Sequence, residues 1–247
     1  MHSDLKHTAE YIIRTYEIDS TKKATIPAMI NLMQEAAMQN VIKMGVSVWD
    51  LEPHNISWVL MRFLLNVERI PMLGERIKII THPAGFEKFY TYRDYKVYDE
   101  KNTLIASASS TWLLMNTIKR RVTRIPDFIL DYKMPEEEVC LPRPANKLPP
   151  FGTVYRQQNF QVGWHDLDFN EHLSNVHYTK WMLESMEDKY LQKGQLLQFD
   201  LFFRAEARWK EEIVAEVEKI NELTFQHRLI RKSDQKELAQ GRSIWNI

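Results

Sequence analysis

The pattern of apolar and polar residues along the chain predicts the same series of elements twice. The first half opens with EYIIRTYEI (10–18), whose aromatic and β-branched content is typical of a strand. Residues 25–45 then show apolar positions at helical spacing, with Pro27 in the first turn and Gly45 at the end. These apolar positions are Ile26, Met29, Ile30, Met33, Ala37, Val41 and Met44. Further strands are predicted at 56–70, 75–84, 87–98 and 103–116, and the second half repeats the order at 160–168, 196–209, 212–220, 224–232 and 237–246.

Direct alignment of the two halves indicates a duplicated domain. At a constant offset of 149 positions, Asp19 aligns with Asp168 and Glu35 with Glu184. The later strands align at an offset of 133. There the matched pairs are Thr91 with Thr224, Val97 with Ile230, Ala106 with Ala239, Ser110 with Ser243, and Trp112 with Trp245. Two long registers without gaps, in the same order, are much stronger evidence for a duplication than any single matched pair.

The repeated order predicts the fold class. A long apolar helix followed by an antiparallel meander can bury that helix only if the sheet wraps around it. We therefore predict an α+β protein of two tandem hotdog-like domains that pair their sheets as a pseudo-dimer. The predicted limits are an N-terminal hotdog domain at 1–133, a proline-rich linker at 134–150 and a C-terminal hotdog domain at 151–247.

Composition narrows the classes of function. The formal net charge is zero, which argues against a nucleic-acid or membrane partner. No signal peptide is recognisable, and no apolar run approaches the ~18 residues that a membrane helix needs. The single cysteine, Cys140, cannot form an internal disulfide, which favours a cytoplasmic location. Glycine-rich phosphate-binding loops are absent from the sequence, so we expect no nucleotide cofactor.

One strand-to-helix junction is unusually polar. WHDLDFNEHLSNVHYTKW (164–181) contains Asp168, Asn170 and His172 just before the second predicted helix. The equivalent residues of the first repeat are Asp19, Thr21 and Lys23. A histidine can exchange protons near neutral pH, and amides at a helix start can stabilise an oxyanion. Helix capping and a structural histidine are the alternatives for each residue alone, but the difference between the repeats favours a function in the second.

A metal site is not expected at this junction. DLDFNEH begins like a calcium-binding loop, but Glu171 occupies the position of the required glycine and His177 that of the closing glutamate. His172 and His177 are five positions apart, so they do not share one helix face as a zinc pair would.

At this point the sequence resembles the acyl-ACP thioesterases of plant plastids and bacteria, which are described as tandem hotdog domains. The similarity extends over nearly the whole chain. It is carried by IRTYEID with MINLMQEAA, by ASSTWLLMNTIKRRVTRIP, and above all by DLDFNEHLSNVHYTKWMLES. The last segment is similar to the family's D-x-N-x-H-x-x-N-x-x-Y block with its W-x-x-E-S.

The resemblance implies catalytic roles for Asp168, Asn170, His172 and a later glutamate, Glu206 in FRAEA. The family's cysteine position in this later block is occupied by Ala207, and Cys140 falls in the predicted linker. Attack by a water molecule is therefore favoured over a thiol nucleophile. His172, Glu206 or both would activate the water, and Asp168 would orient its neighbours or the water. Helix-start amides with Asn170 would hold the oxyanion. A solvated strand carboxylate is the alternative for Glu206.

The expected activity is thioester hydrolysis on acyl carrier protein. The rival interpretations are an acyl-CoA thioesterase, a hydratase and a non-catalytic acyl- or carrier-binding module. By resemblance the first domain, without the asparagine and histidine, would hold the acyl chain, although its bulky interior also fits an ordinary core. The interior residues in question are Met29, Met33, Met38, Trp58 and Met61.

A short basic run suggests where the carrier could dock. Residues 116–124 contain Lys119, Arg120, Arg121 and Arg124 in an otherwise neutral chain. A solvated strand end is the alternative explanation. Because the resemblance implies an acidic carrier protein as partner, we predict docking at this run. Pairing of two chains as a homodimer is left open.

Overall fold

The structure, a computed structural model, describes residues 5–132, 140–143 and 147–247. Contacts divide the chain into two compact units. The first comprises Met1–Phe63 and Glu68–Arg143, and the second comprises Leu64–Val67 and Pro144–Ile247. Much of the predicted linker, 134–150, lies outside the described residues, so the predicted limits at 133 and 151 stay predictions.

The first unit combines one long helix with an antiparallel sheet. Its elements are β1 (His7–Ile12), α1 (Ile26–Met44), α2 (Val48–Leu51), β2 (Ile56–Val67), β3 (Arg76–Glu87), β4 (Tyr90–Asp99), β5 (Leu104–Asn116), β6 (Arg121–Thr123) and α3 (Asp127–Leu130), and the end of β2, Leu64–Val67, is counted with the second unit. The sheet order is β1-β3-β4-β5-β2, with β6 paired to β5 as an addition. Helix α1 lies against β1 and β3, so its apolar face forms the core of the unit.

Helix α1 has the predicted limits because both of its ends are capped. The side chain of Thr25 accepts the backbone N–H of Ala28 at 3.2 Å, and Gly45 ends the helix in the left-handed conformation at φ 68°. Between the caps, Met29 and Met33 are fully buried. The helical spacing of apolar residues therefore predicted both the element and its buried face.

The second unit repeats this architecture. Its elements are β7 (Arg156–Gln161), α4 (Asn175–Glu184), α5 (Asp188–Lys193), β8 (Gln195–Phe203), β9 (Glu212–Lys219), β10 (Thr224–Arg231) and β11 (Glu237–Asn246). The order β7-β9-β10-β11-β8 is that of the first unit, and α4 lies against β9 and β10. The predicted duplication is confirmed at the level of topology. Within residues 5–132, 140–143 and 147–247, no helix has both the length and the apolar character needed to cross a bilayer.

The first strand of each unit ends earlier than predicted. β1 ends at Ile12, and β7 ends at Gln161. Just beyond each strand an acidic side chain accepts a hydrogen bond from the backbone. Glu17 accepts the N–H of Arg14 at 2.7 Å, and Asp166 accepts the N–H of Gly163 at 2.9 Å. These local hydrogen bonds replace the strand ladder, and in the second unit Trp164–Asp166 forms a 3-10 turn.

The strand alignment at the fourth strand was wrong by one residue. The sequence matched Val97 with Ile230, but Val97 pairs with Ala106 while Leu229 pairs with Ala239, the counterpart of Ala106. Val97 is therefore equivalent to Leu229, an offset of 132 rather than 133. The segment from Leu229 to Ala239 is one residue longer than that from Val97 to Ala106, and this extra residue shifts the register.

A neutral histidine is buried in the core of the second unit. His227 on β10 is 1% exposed, packs beside Phe199 and lies with its Nε2 2.8 Å from the Ser243 hydroxyl. Ser243 accepts the indole N–H of Trp245, so its own proton is available to the imidazole. Burial lowers the pKa of His227 to about 3, well below the value of 6.5 for an exposed histidine.

This burial predicts a specific loss of stability in acid. Between pH about 6.5 and pH about 3 the unfolded chain binds a proton at His227 that the folded chain does not, so stability falls as the pH is lowered. The loss should amount to about 2 kcal/mol between pH 7 and pH 5. We expect His227→Gln, which cannot titrate, to weaken the pH dependence by that amount in urea unfolding. Identical pH slopes for the variant and the unaltered protein would show that His227 is not the source.

Candidate active site

The loop between β7 and α4 is closed by the carboxylate of Asp168. Its Oδ1 accepts the backbone N–H groups of Asn170 at 2.8 Å and His172 at 3.2 Å. The N–H of Asp168 in turn donates to the carbonyl of His172 at 2.7 Å, and Glu171 has a positive φ of 61° at the tip. Aspartate suits this role because its short side chain reaches amides a few residues ahead in the chain. His172 is thereby held at the end of a tight turn, before α4 begins at Asn175.

The first unit builds the same turn without the histidine. Asp19 Oδ1 accepts the N–H groups of Thr21 at 2.7 Å and Lys23 at 3.3 Å, and Asp19 N donates to the carbonyl of Lys23 at 2.9 Å. Lys22 has a φ of 65°, matching Glu171. The aspartate is therefore part of the shared scaffold, and the residue at the end of the turn is what differs between the units.

The second segment of the site lies just beyond the end of β8. The backbone N–H of Leu173 donates to the carbonyl of Ala207 at 2.8 Å and so joins the loop to this segment. Across this connection, Nε2 of His172 lies 3.2 Å from Oε2 of Glu206. The two side chains are 17% and 34% exposed, so both can meet solvent or a small ligand while remaining in contact.

Hydrogen bonding identifies the first-unit counterpart of Glu206. In the first unit Ala24 N donates to the carbonyl of Pro71 at 2.9 Å, as Leu173 N does to Ala207. Pro71 is thus equivalent to Ala207, and Ile70 to Glu206, at an offset of 136. Gly74 and Lys210 support this offset, since both have positive φ and donate to the equivalent carbonyls of Ile13 and Val162. The first unit therefore has lysine and isoleucine where the second has the histidine–glutamate pair.

Tyr178, whose side chain sequence reasoning did not assign, holds Glu206 in place. Its hydroxyl donates to the carbonyl of Ala205 at 3.1 Å and accepts the N–H of Ala207 at 3.0 Å, bridging the residues on either side of the glutamate. Burial raises the pKa of Tyr178, which keeps the hydroxyl protonated. Arg231 also donates to the carbonyl of Glu206 at 2.6 Å. The sequence did contain a signal for Tyr178: the aligned position in the first repeat is Met29, so the tyrosine belongs to the second repeat alone.

Four backbone amides of the loop are already used within it. The N–H groups of Asn170 and His172 bind Asp168, that of Glu171 donates to the Asp168 carbonyl, and that of Ser174 donates to Asp166. These groups are occupied and cannot serve as free oxyanion donors. The exposed side-chain amide of Asn170 remains as a donor beside the loop.

A second histidine–carboxylate pair lies behind the loop. Nδ1 of His177, in the first turn of α4, lies 3.5 Å from Oδ1 of Asp166. Burial lowers the pKa of His177, and the charge of Asp166 opposes this shift. Because the other Asp166 oxygen binds Gly163 N at 2.9 Å, this pair connects the start of the helix to the 3-10 turn.

The four predicted site residues thus fall into three roles. His172 and Glu206 are brought into contact, Asp168 shapes the turn beneath them, and Asn170 is exposed at the turn. Cys140 belongs to the first unit, where its Sγ lies 3.5 Å from the carbonyl of Ala84. Among the residues that the structure describes, no group of three or more metal-ligating side chains converges. A histidine paired with a carboxylate can take a proton from water, which is the chemistry that this arrangement offers.

Comparison with known proteins gives the context of the site. The family model for the acyl-ACP thioesterase N-terminal domain matches residues 4–132, and that for the C-terminal domain matches residues 152–247. A chloroplastic palmitoyl-acyl carrier protein thioesterase of Cuphea hookeriana is 28% identical over 95% of this chain. The chain spans 61% of the length of that relative.

Solved structures share the fold. An acyl-ACP thioesterase from Bacteroides thetaiotaomicron superposes with a TM-score of 0.89 at 18% identity, covering 98% of each chain. The 12:0-ACP thioesterase from Umbellularia californica gives a TM-score of 0.83 at 22% identity, also covering 98% of each chain. These likenesses confirm the predicted α+β architecture of tandem hotdog domains.

Because both units contain the aspartate turn, removing either aspartate should lower the stability of the protein. Asp168→Ala and Asp19→Ala each remove a carboxylate that accepts backbone N–H groups, so each should lower the free energy of unfolding, by about 1–2 kcal/mol for the half-buried Asp168 and less for the exposed Asp19. Urea unfolding followed by circular dichroism measures both. If Asp168→Ala unfolds at the same urea concentration as the unaltered protein, the carboxylate does not hold the turn.

Proposed function

Since the chain belongs to the acyl-ACP thioesterase family, we propose that it hydrolyses fatty acyl thioesters of acyl carrier protein, releasing the fatty acid and the carrier thiol. The observation that carries this proposal is the 3.2 Å contact between His172 and Glu206, which only the second unit has. Lys23 and Ile70 at the equivalent positions cannot perform this proton transfer together. The proposal therefore places turnover in the second unit.

The geometry favours His172 as the base. Its Nε2 faces the carboxylate of Glu206, which favours the tautomer with the proton on Nε2 and leaves Nδ1 to accept a proton from water. The water oxygen bonds to the thioester carbonyl carbon, and the proton passes to Nδ1. When the C–S bond breaks, the imidazolium returns that proton to the departing thiolate. Glu206 stabilises the intervening imidazolium, as a carboxylate does in other acid–base pairs.

The remaining residues position these two. Asp168 fixes the backbone of His172, while Tyr178 and Arg231 fix that of Glu206. In this proposal the exposed side-chain amide of Asn170 donates to the oxyanion, because the backbone amides of residues 170–174 are occupied. A thiol nucleophile has no place in it, since the position after Glu206 is Ala207.

The first unit receives the acyl chain in this proposal. Its helix presents Met29 and Met33 to the interior, and methionine adapts its shape to an apolar ligand. The adaptable shape of methionine side chains supports this role, while the lack of a histidine–glutamate pair excludes the unit from the proposed proton transfer.

The basic run provides a docking surface for the carrier in this proposal. Lys119 and Arg120 lie in the turn between β5 and β6, Arg121 begins β6 and Arg124 follows it, and all four are exposed. The hairpin projects positive charge from a chain with no net charge, which favours encounter with an acidic carrier.

Release of a free thiol tests the activity directly. We expect the protein to release thiol from acyl-ACP faster than from acyl-CoA. The assay is best performed with Cys140→Ser as well, because this change removes the only thiol of the enzyme and should leave the rate unchanged. Loss of turnover in Cys140→Ser would restore a thiol mechanism. Absence of release from every thioester would make the protein a binding module, and preference for acyl-CoA would reassign the substrate.

Charge reversal tests the docking surface. Arg120→Glu with Arg121→Glu should lower kcat/KM for acyl-ACP by roughly tenfold at low salt and flatten its salt dependence. Hydrolysis of a short acyl thioester without a carrier should be unaffected and serves as the control. Equal losses on both substrates would mean that the hairpin supports the fold rather than docking.

A further inference from the structure

Three exposed aromatic side chains border the site, and we call them the aromatic ledge. Trp164 is 62% exposed, Phe169 is 68% exposed and Trp209 is 48% exposed. Single exposed rings are ordinary on a protein surface, whereas exposed rings grouped beside a site mark a surface that a partner covers. Each of the three belongs to a segment that carries a site residue.

The ledge joins the two halves of the site. Phe169 lies between Asp168 and Asn170 in the turn, and Trp209 follows Glu206 by three positions. The rings of Trp164 and Trp209 meet edge to face, with their centroids 5.1 Å apart. A molecule lying on these rings would therefore be next to both the His172 turn and the Glu206 segment.

The fold does not need these rings. The first unit has Thr15, Ser20 and Leu73 at the equivalent positions, by the offsets of 149 and 136 established above. It builds the same turn and the same return segment without an aromatic side chain at these three positions, and its exposed aromatic there, Tyr16, is equivalent to His165. The aromatic residues thus accompany the histidine–glutamate pair, in the unit that has it.

The chemistry of the ledge fits a slender chain with an anionic end. Lys210 holds its ammonium 4.3 Å from the centre of the Trp209 ring, and Arg208 is exposed beside it. The carboxylate of the nearby Glu211 pairs with Arg231 at 3.1 Å and accepts the backbone N–H of Arg208. Aromatic faces next to exposed cations favour a ligand with aliphatic and amide groups along its length and a phosphate at its far end.

We infer that the aromatic ledge binds the phosphopantetheine arm of the acyl carrier protein, an inference that rests on the function proposed above. The thioester is at the tip of that arm, so a tip placed at His172 leaves the arm to lie over surface next to the turn. Trp164, Phe169 and Trp209 contact the aliphatic and amide part of the arm, and Lys210 with Arg208 receives its phosphate. Holding the arm there places the thioester against the pair.

The test compares carrier protein with and without its arm. We expect the unaltered protein to bind holo-carrier more tightly than apo-carrier, which lacks phosphopantetheine. Phe169→Ser and Trp209→Leu install the residues of the first unit and should weaken holo-carrier binding by roughly tenfold each, the equivalent of about 1.4 kcal/mol. Affinity for apo-carrier should not change. Trp49→Leu, at a tryptophan of the first unit that is 64% exposed, is the matched control and should behave as the unaltered protein.

Turnover provides the second arm of the experiment. Both variants should lose more kcat/KM on acyl-ACP than on an acyl thioester of N-acetylcysteamine, which has only the tip of the arm. Unchanged holo-carrier affinity, or an equal loss for apo-carrier, would overturn the inference, as would a loss confined to acyl-CoA. Phe169→Ser leaves the Trp164–Trp209 contact intact, so it remains informative if Trp209→Leu unfolds. The binding measurement needs no turnover, which separates failure of the ledge from failure of the proposed hydrolysis.

Discussion

The carboxylate of Asp168 binds two backbone amides of its own loop, and the arrangement of the second unit around its site depends on this closure. The turn that results directs His172 toward the segment beyond β8, where Leu173 ties the loop to Ala207. Glu206 is held on the other side by Tyr178 and by Arg231. The contact between His172 and Glu206 is thus the outcome of two separately fixed backbones. Neither side chain needs to be buried to remain in place.

Duplication separates scaffold from chemistry within one chain. Both units build the aspartate turn, and both attach it to the return segment by an equivalent backbone hydrogen bond. The two units differ in the side chains at two equivalent positions. The first unit has Lys23 and Ile70, and the second has His172 and Glu206. Tyr178 and the aromatic ledge follow the same division. The first unit forms the same frame without a histidine–glutamate pair, which is the physical argument for assigning His172 and Glu206 a function.

The sequence predicted those features that depend on local pattern. The limits of α1 followed from apolar spacing and two caps, and the aspartate shared by the two repeats was visible in their alignment, although its turn was not predicted. Glu206 came only from the family resemblance, because the offset of 133 that aligns the last strands does not hold at its segment. Tyr178 could not be assigned because its partners are backbone atoms of a distant segment, brought near by the fold alone. The early ends of β1 and β7 were also missed, because in each case an acidic side chain accepts the backbone N–H that would otherwise donate to a neighbouring strand.

The central claim is that His172 and Glu206 act as one catalytic unit. A double-mutant cycle tests this most directly, with single-turnover rates on acyl-ACP for His172→Ala, Glu206→Gln and the double variant, each shown by thermal unfolding to be folded. If the residues act together, the double variant should be no slower than His172→Ala, within about threefold, because the glutamate works only through the histidine. Losses that multiply in the double variant would show two independent contributions and would contradict the account.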